Sequence, residues 1–200
     1  NHPRQKKVEF ISASQKDFIF SPDSSIHKTI YMEQKAVKGT SAVFTVSFSY
    51  ESSGLYVNPE DIEPELYDRE SELFKNYTRE ELPQIRFSDC TKKVADSITS
   101  PDDNPFETVS KIYLWFKENI PWTGALEYST MPDIPAYVLN NRRGDCGMQT
   151  LLYISMLRYK GIPVRWQSGW MVPPGHENLH DWCEIYFEGV GWVPSDISYD

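Results

Sequence analysis

Cysteine is scarce in this chain, and what there is cannot build a scaffold. Cys90, Cys146 and Cys183 cannot all pair, and no C-x-x-C spacing occurs. At least one thiol therefore stays free, the pattern of a catalytic or buried cysteine, and it leaves the redox compartment open. Positive charge is short as well: 20 Lys and Arg against 29 Asp and Glu give a net charge of −9. Nucleic acid and anionic membrane surfaces would be repelled at long range, so neither is an expected partner. The one basic cluster, Arg4 to Lys7, is short and terminal. No apolar run approaches the roughly 20 residues of a membrane span, and no stretch has signal-peptide anatomy. The first residue is Asn1 rather than Met, so an upstream piece is expected to have been removed or never included, and a signal sequence could have gone with it.

What is present is ordinary for a globular protein. Two hundred residues, 40% hydrophobic and 24% charged, suffice for one or two domains with a real core. Aromatics are plentiful, with 6 Trp, 12 Tyr and 10 Phe; such rings fill cores and also line substrate subsites.

Residues 1 to about 25 show no sustained period and read as an irregular lead-in. Thr29 to Met32 is a weak strand, and Phe44, Val46, Phe48 and Tyr50 alternate with polar residues as a half-buried strand should. Lys38-Gly39-Thr40 supplies a turn between them. From Glu51 to Ser88, prolines and clustered acids suggest a connector with one or two short helices. Helices are expected near 90–97 and from Pro105, where Asn104-Pro105-Phe106-Glu107 resembles a capping box. Residues 121–143 read as a long loop or short-helix stretch. Val164–Met171, Asp181–Phe187 and Gly191–Ile197 read as three antiparallel strands.

The stretch Arg143-Gly144-Asp145-Cys146 puts a cysteine where a loop becomes a helix that runs to Tyr159, with Gly161 and Pro163 stopping it. Asp145 is a strong N-cap type. A thiol in the first turn faces unpaired N–H groups and the positive end of the helix dipole, which favour thiolate and predict a lowered pKa. Arg142 and Arg143 nearby could add to this, although solvated surface charge is the more usual role of such residues. Downstream, strand alternation puts His180, Trp182, Glu184 and Tyr186 on one face. A hairpin centred near Glu188 would set Asp196 opposite His180, within imidazole-carboxylate reach. Cys146, His180 and Asp196 are then a nucleophile, a proton carrier and an orienting carboxylate. A metal site built from Cys146, His180, Asp181 and Cys183 is disfavoured by parity, because His180 and Cys183 point to opposite faces. No metal or cofactor is expected.

Gly144-Asp145-Cys146, Gly161-Ile162-Pro163-Val164-Arg165, His180-Asp181-Trp182-Cys183-Glu184-Ile185-Tyr186 and Gly191-Trp192-Val193-Pro194-Ser195-Asp196 together resemble the transglutaminase-like superfamily, in wording closest to bacterial and often exported members. The resemblance implies an α+β, papain-like core over residues 84–200, with the nucleophile helix packed on an antiparallel sheet and a C-terminal portion lying beyond this chain. Residues 1–83 are then a β-rich N-terminal region with an acidic connector. It implies Cys146, His180 and Asp196 as a triad that works through a thioester acyl-enzyme on a protein or peptide. The expected activity is a peptidase or amidase. A glutamine-lysine acyltransferase is the alternative, and a non-catalytic binding module the alternative of another class. The Cys146 N–H is a natural first oxyanion donor; Trp122, Gln149 and Trp166 are candidates for the second. An extracytoplasmic location is expected.

Overall fold

The computed structural model describes residues 5–25, 28–175 and 177–199. Its contacts form two compact units, Asn1–Tyr56 and Val57–Asp200.

The first unit is built from short antiparallel pairs. Strand β1 (Gln5–Ala13) pairs with β4 (Val46–Ser52), and β2 (Phe18–Phe20) pairs with β3 (Ile30–Met32). The region expected to be irregular therefore supplies two strands. The alternating segment pairs with β1 rather than with residues 29–32. Its period is real, with Phe48 and Tyr50 stacked on one face at 6.0 Å. In β1 the register slips between Lys6 and Glu9 and again between Phe10 and Ser12. Each slip resets which face the next side chain takes, which erases a period-2 pattern.

The second unit is organised around α5 (Cys146–Tyr159), in which every residue from Gly147 to Arg158 is buried. A helix apolar on all sides must be enclosed on all sides. Helices α2 (Asp89–Ile98), α3 (Pro105–Asn119) and α4 (Ile134–Asn141) cover one part of it, and a three-stranded sheet covers the rest. Helix α3 begins with the expected capping box, Asn104 accepting from Glu107 N and Glu107 reaching back to Asn104 N, both at 2.9 Å. The short α1 (Glu72–Tyr77) lies in the acidic connector.

The sheet has the order β5 (Val164–Met171), β6 (Asn178–Phe187), β7 (Gly191–Ser195), all antiparallel. Val164, Cys183, Ile185 and Phe187 turn to α5 and are buried; Cys183 gives its S–H to the Ser195 carbonyl at 3.4 Å. The opposite face carries a buried ion pair. Glu184 Oε2 accepts from Arg165 Nε at 2.8 Å and Gln167 Nε2 at 2.6 Å, and the Arg165 guanidinium lies 4.2 Å over Trp192.

The compact unit begins at Val57, well before the expected boundary near Pro83, and the bonds that draw the connector in are specific. Arg158, 3% exposed near the end of α5, donates from Nη1 to the Arg79 carbonyl at 2.9 Å and to Glu81 Oε2 at 3.0 Å, and from Nε to the Val164 carbonyl at 2.9 Å. Tyr67 Oη donates to the Tyr186 carbonyl at 2.8 Å. No helix among the described residues is long and apolar enough to cross a membrane.

Candidate active site

Cys146 is the first residue of α5 because Asp145 caps it: the Asp145 carboxylate accepts from Met148 N at 2.9 Å. The same oxygen accepts from Tyr128 Oη at 2.5 Å, so the residue that starts the helix is also clamped from the preceding loop. Between them sits Gly147, whose lack of a side chain is required. A Cβ there would overlap Tyr128 Oη and stand 2.8 Å from Asp181 Oδ2. Glycine is otherwise costly inside a helix, so its place here marks a close approach.

His180 reaches the site from β6. Its Nε2 and Asp196 Oδ2 are 2.5 Å apart, and the other Asp196 oxygen accepts from Ser198 N at 3.1 Å and Ser198 Oγ at 3.0 Å. The register that brings them together differs from the expected one. Phe187 pairs with Gly191 and Cys183 with Ser195, so the turn centres on Gly189, and Asp196, one step past Ser195, is level with Trp182. A shift of two keeps the face, and Asp196 meets His180 diagonally. Both turn glycines have positive φ, +79° at Gly189 and +100° at Gly191, which fixes the longer loop.

Cys146 and His180 line one cleft of about 560 Å³, together with Trp122, Asp145, Leu179 and Asp181 among others. Trp122 is placed there by a parallel bridge to Gly144. Of the three candidates for a second oxyanion donor, Trp122 alone lines the cleft. Gln149 is buried and its amide N–H is bound to the Ile120 carbonyl at 2.8 Å, and Trp166 packs against the core from β5.

The electrostatics differ from the expected helix-start effect. Half-burial pushes the Cys146 thiol above its ordinary pKa, opposed by N–H donation from Asp181 and from Gly147, while the Asp145 and Asp181 carboxylates push it further up. The arginines before the cysteine do not offset this; Arg142 lies over Trp115 at 5.4 Å. The Asp181 carboxyl is itself raised, first by burial and then by Asp145, against a Ser168 hydrogen bond and the His180 charge. Tyr128 did not stand out in the sequence as a site residue, and Asp181 did so only as a member of the disfavoured metal set. Gly147 was the available signal, a glycine in the first turn of an otherwise well-formed helix. No group of three or more His, Cys, Asp or Glu side chains suited to a metal occurs among the described residues.

The sequence profile of the transglutaminase-like superfamily matches residues 92–197. YebA of Bacillus subtilis, an uncharacterized protein, is 25% identical over 152 residues, which cover 61% of this chain and 20% of that protein; the chain thus spans about a fifth of that relative's length. Among solved structures, a candidate cysteine protease from Cytophaga hutchinsonii is similar over 96% of this chain and 66% of that one, with 16% identity and a TM-score of 0.56. The periplasmic domain of TgpA from Pseudomonas aeruginosa shares 20% identity over 62% of this chain and 46% of that one, with a TM-score of 0.49. The fold is α+β with a papain-like core that a β-rich N-terminal region precedes along the chain. The profile covers more than half of the chain, which belongs to the transglutaminase-like superfamily.

Proposed function

We propose that Cys146, His180 and Asp196 are a nucleophilic triad that cleaves a peptide or amide bond in a protein or peptide substrate. The observation that carries this reading is the orientation of one imidazole. Asp196 takes up His180 Nε2, which leaves Nδ1 as the ring nitrogen available to a thiol in the cleft that both residues line. With the thiol pKa raised, a free-standing thiolate is disfavoured, and His180 acts as the base at the moment of attack.

In this mechanism Cys146 Sγ attacks the carbonyl carbon as its proton passes to His180 Nδ1. The Cys146 N–H, at the open end of α5, faces the developing oxyanion, and the Trp122 side of the cleft is placed for a second donor. His180 then returns the proton to the amine nitrogen, the C–N bond breaks, and a thioester remains on Cys146. Water, deprotonated by His180, resolves it. Asp196 holds the ring and stabilises its charged form throughout.

A second reading, transfer of the acyl group to a primary amine, is favoured by the Asp145 and Asp181 carboxylates lining the cleft beside the thiol, since these attract an ammonium group. Incubating the protein with a peptide library, with and without a primary amine, and following both products and the protein's mass decides between them. Hydrolysis predicts a transient acyl adduct on Cys146 and free carboxylate products, while transfer predicts amide products that grow with amine concentration. Cys146→Ala and His180→Ala should each abolish turnover with little change in thermal midpoint. Turnover that survives Cys146→Ala would sink both readings.

A further inference from the structure

A second, shallow hollow of about 340 Å³ opens on the other side of His180, lined by Trp170, Met171, His180, Trp182, Pro194 and Asp196 among others. His180 and Met171 line the first cleft as well, so the two meet at the imidazole. The wall of the second hollow is preformed. Trp182 is stacked beside His180, ring centroids 6.2 Å apart and planes 19° from parallel. Gly169 faces His180 across the β5–β6 ladder, and a Cβ on it would come within 3.0 Å of the Trp182 ring. The indole therefore lies across bare backbone, in space that any other residue at 169 would fill. Trp170, next in β5, is 69% exposed. A large apolar surface held open beside reactive groups is what a substrate subsite requires.

The direction of proton transfer says which part of a substrate belongs there. This step rests on the hydrolase reading above. When the C–N bond breaks, the acyl carbon stays on Cys146 and the departing nitrogen takes its proton from His180. The acyl side thus occupies the first cleft, and the chain that follows the nitrogen passes over His180 toward the second hollow. Two indoles, a methionine and a proline line it, and the one carboxylate, Asp196, is already bonded to His180 and Ser198. We infer that this hollow is the leaving-group subsite, and that it selects an aromatic or large apolar residue just after the scissile bond. A shallow apolar site of this kind discriminates by about tenfold.

The binding test uses the inactive Cys146→Ala protein and short Gly/Ala/Gln peptides carrying either one Phe or one Ser. Saturation-transfer difference NMR should show the Phe ring saturated by the protein, the effect lost in Cys146→Ala/Trp170→Ala and kept in Cys146→Ala/Trp170→Phe. Absence of ring saturation, or saturation indifferent to Trp170→Ala, overturns the subsite. The turnover test reads new N-termini by mass spectrometry after digesting a peptide library with the Cys146 protein. Aromatic and large apolar residues should be enriched about tenfold over Gly and Asp, and Trp170→Ala should flatten that enrichment. Cleavage without enrichment overturns the subsite and leaves the triad intact, whereas failure to cleave any member sinks the hydrolase reading that the assignment rests on.

Discussion

Gly147→Ala is the substitution on which local and tertiary physics disagree most sharply. By helix propensity alone the change stabilises by about 0.5–1 kcal/mol, since glycine surrenders more backbone entropy than alanine. The added methyl, however, overlaps Tyr128 Oη, stands 2.8 Å from Asp181 Oδ2 and 3.2 Å from Tyr128 Cζ. Tyr128 cannot yield without giving up its 2.5 Å hydrogen bond to Asp145, and a hydroxyl-carboxylate bond of this class is worth about 1.5–3 kcal/mol. The net expectation is destabilisation by about 0.5–2.5 kcal/mol, a drop in thermal midpoint of roughly 1–10 °C for a unit of this size. Differential scanning calorimetry reads it directly. The double variant Gly147→Ala/Tyr128→Phe removes the obstructing oxygen, so the methyl should cost less there than in the wild-type background. If Gly147→Ala raises the midpoint, or if the two substitutions are additive, the packing argument is wrong.

Alkylation of Cys146 by iodoacetamide should follow thiolate formation with a midpoint above that of a free cysteine, because burial and two carboxylates raise the thiol. Asp181→Asn removes one of those anions and should move the midpoint down; an unchanged or higher midpoint refutes the assigned cause. Arg158→Ala should destabilise by about 2–4 kcal/mol in urea unfolding, near the range for breaking a buried pair but discounted because Glu81 is half exposed. Arg158→Lys should recover only part of this, since one ammonium cannot span three acceptors; full recovery would contradict the geometry. Asp196→Asn and Asp196→Ala should each lose roughly 10²–10⁴ in kcat, the asparagine because its NH2 would face either the Ser198 N–H or His180 Nε2, where an acceptor is needed. Near-full turnover in either variant would mean that the ring is held and its charge stabilised without this carboxylate.

The elements legible in the sequence were those whose local signals agree with their tertiary setting. Helix α5 starts and stops where Asp145 and Gly161 say it should, and β5 runs over the expected Val164–Met171. Of the N-terminal strands β3 and β4 were legible, whereas β1 and β2 were not, and in β1 the register slips scramble the alternation on which such a reading depends. The hairpin was read with the right residues and the wrong centre, since positive φ at Gly189 and Gly191 is a backbone property that composition only hints at. Around Cys146 the sequence pointed to a lowered pKa from the helix end, with the neighbouring arginines as a further contribution. It could not supply the desolvation or the Asp181 carboxylate, which arrives from a strand more than thirty residues away. Tyr128 left no local trace, as its role comes from a loop folding back over the helix start.

Cys183 lies on the same strand as His180, fully screened between sheet and helix and bonded to the Ser195 carbonyl. A reagent can reach it only when the hairpin lifts away from α5, so its labelling rate measures how often that hairpin opens, in proportion to the opening equilibrium. Each tenfold in that rate corresponds to about 1.4 kcal/mol. The chain therefore carries two thiols that report on different events: Cys146 on the chemistry of the assembled site, and Cys183 on how long the site stays assembled.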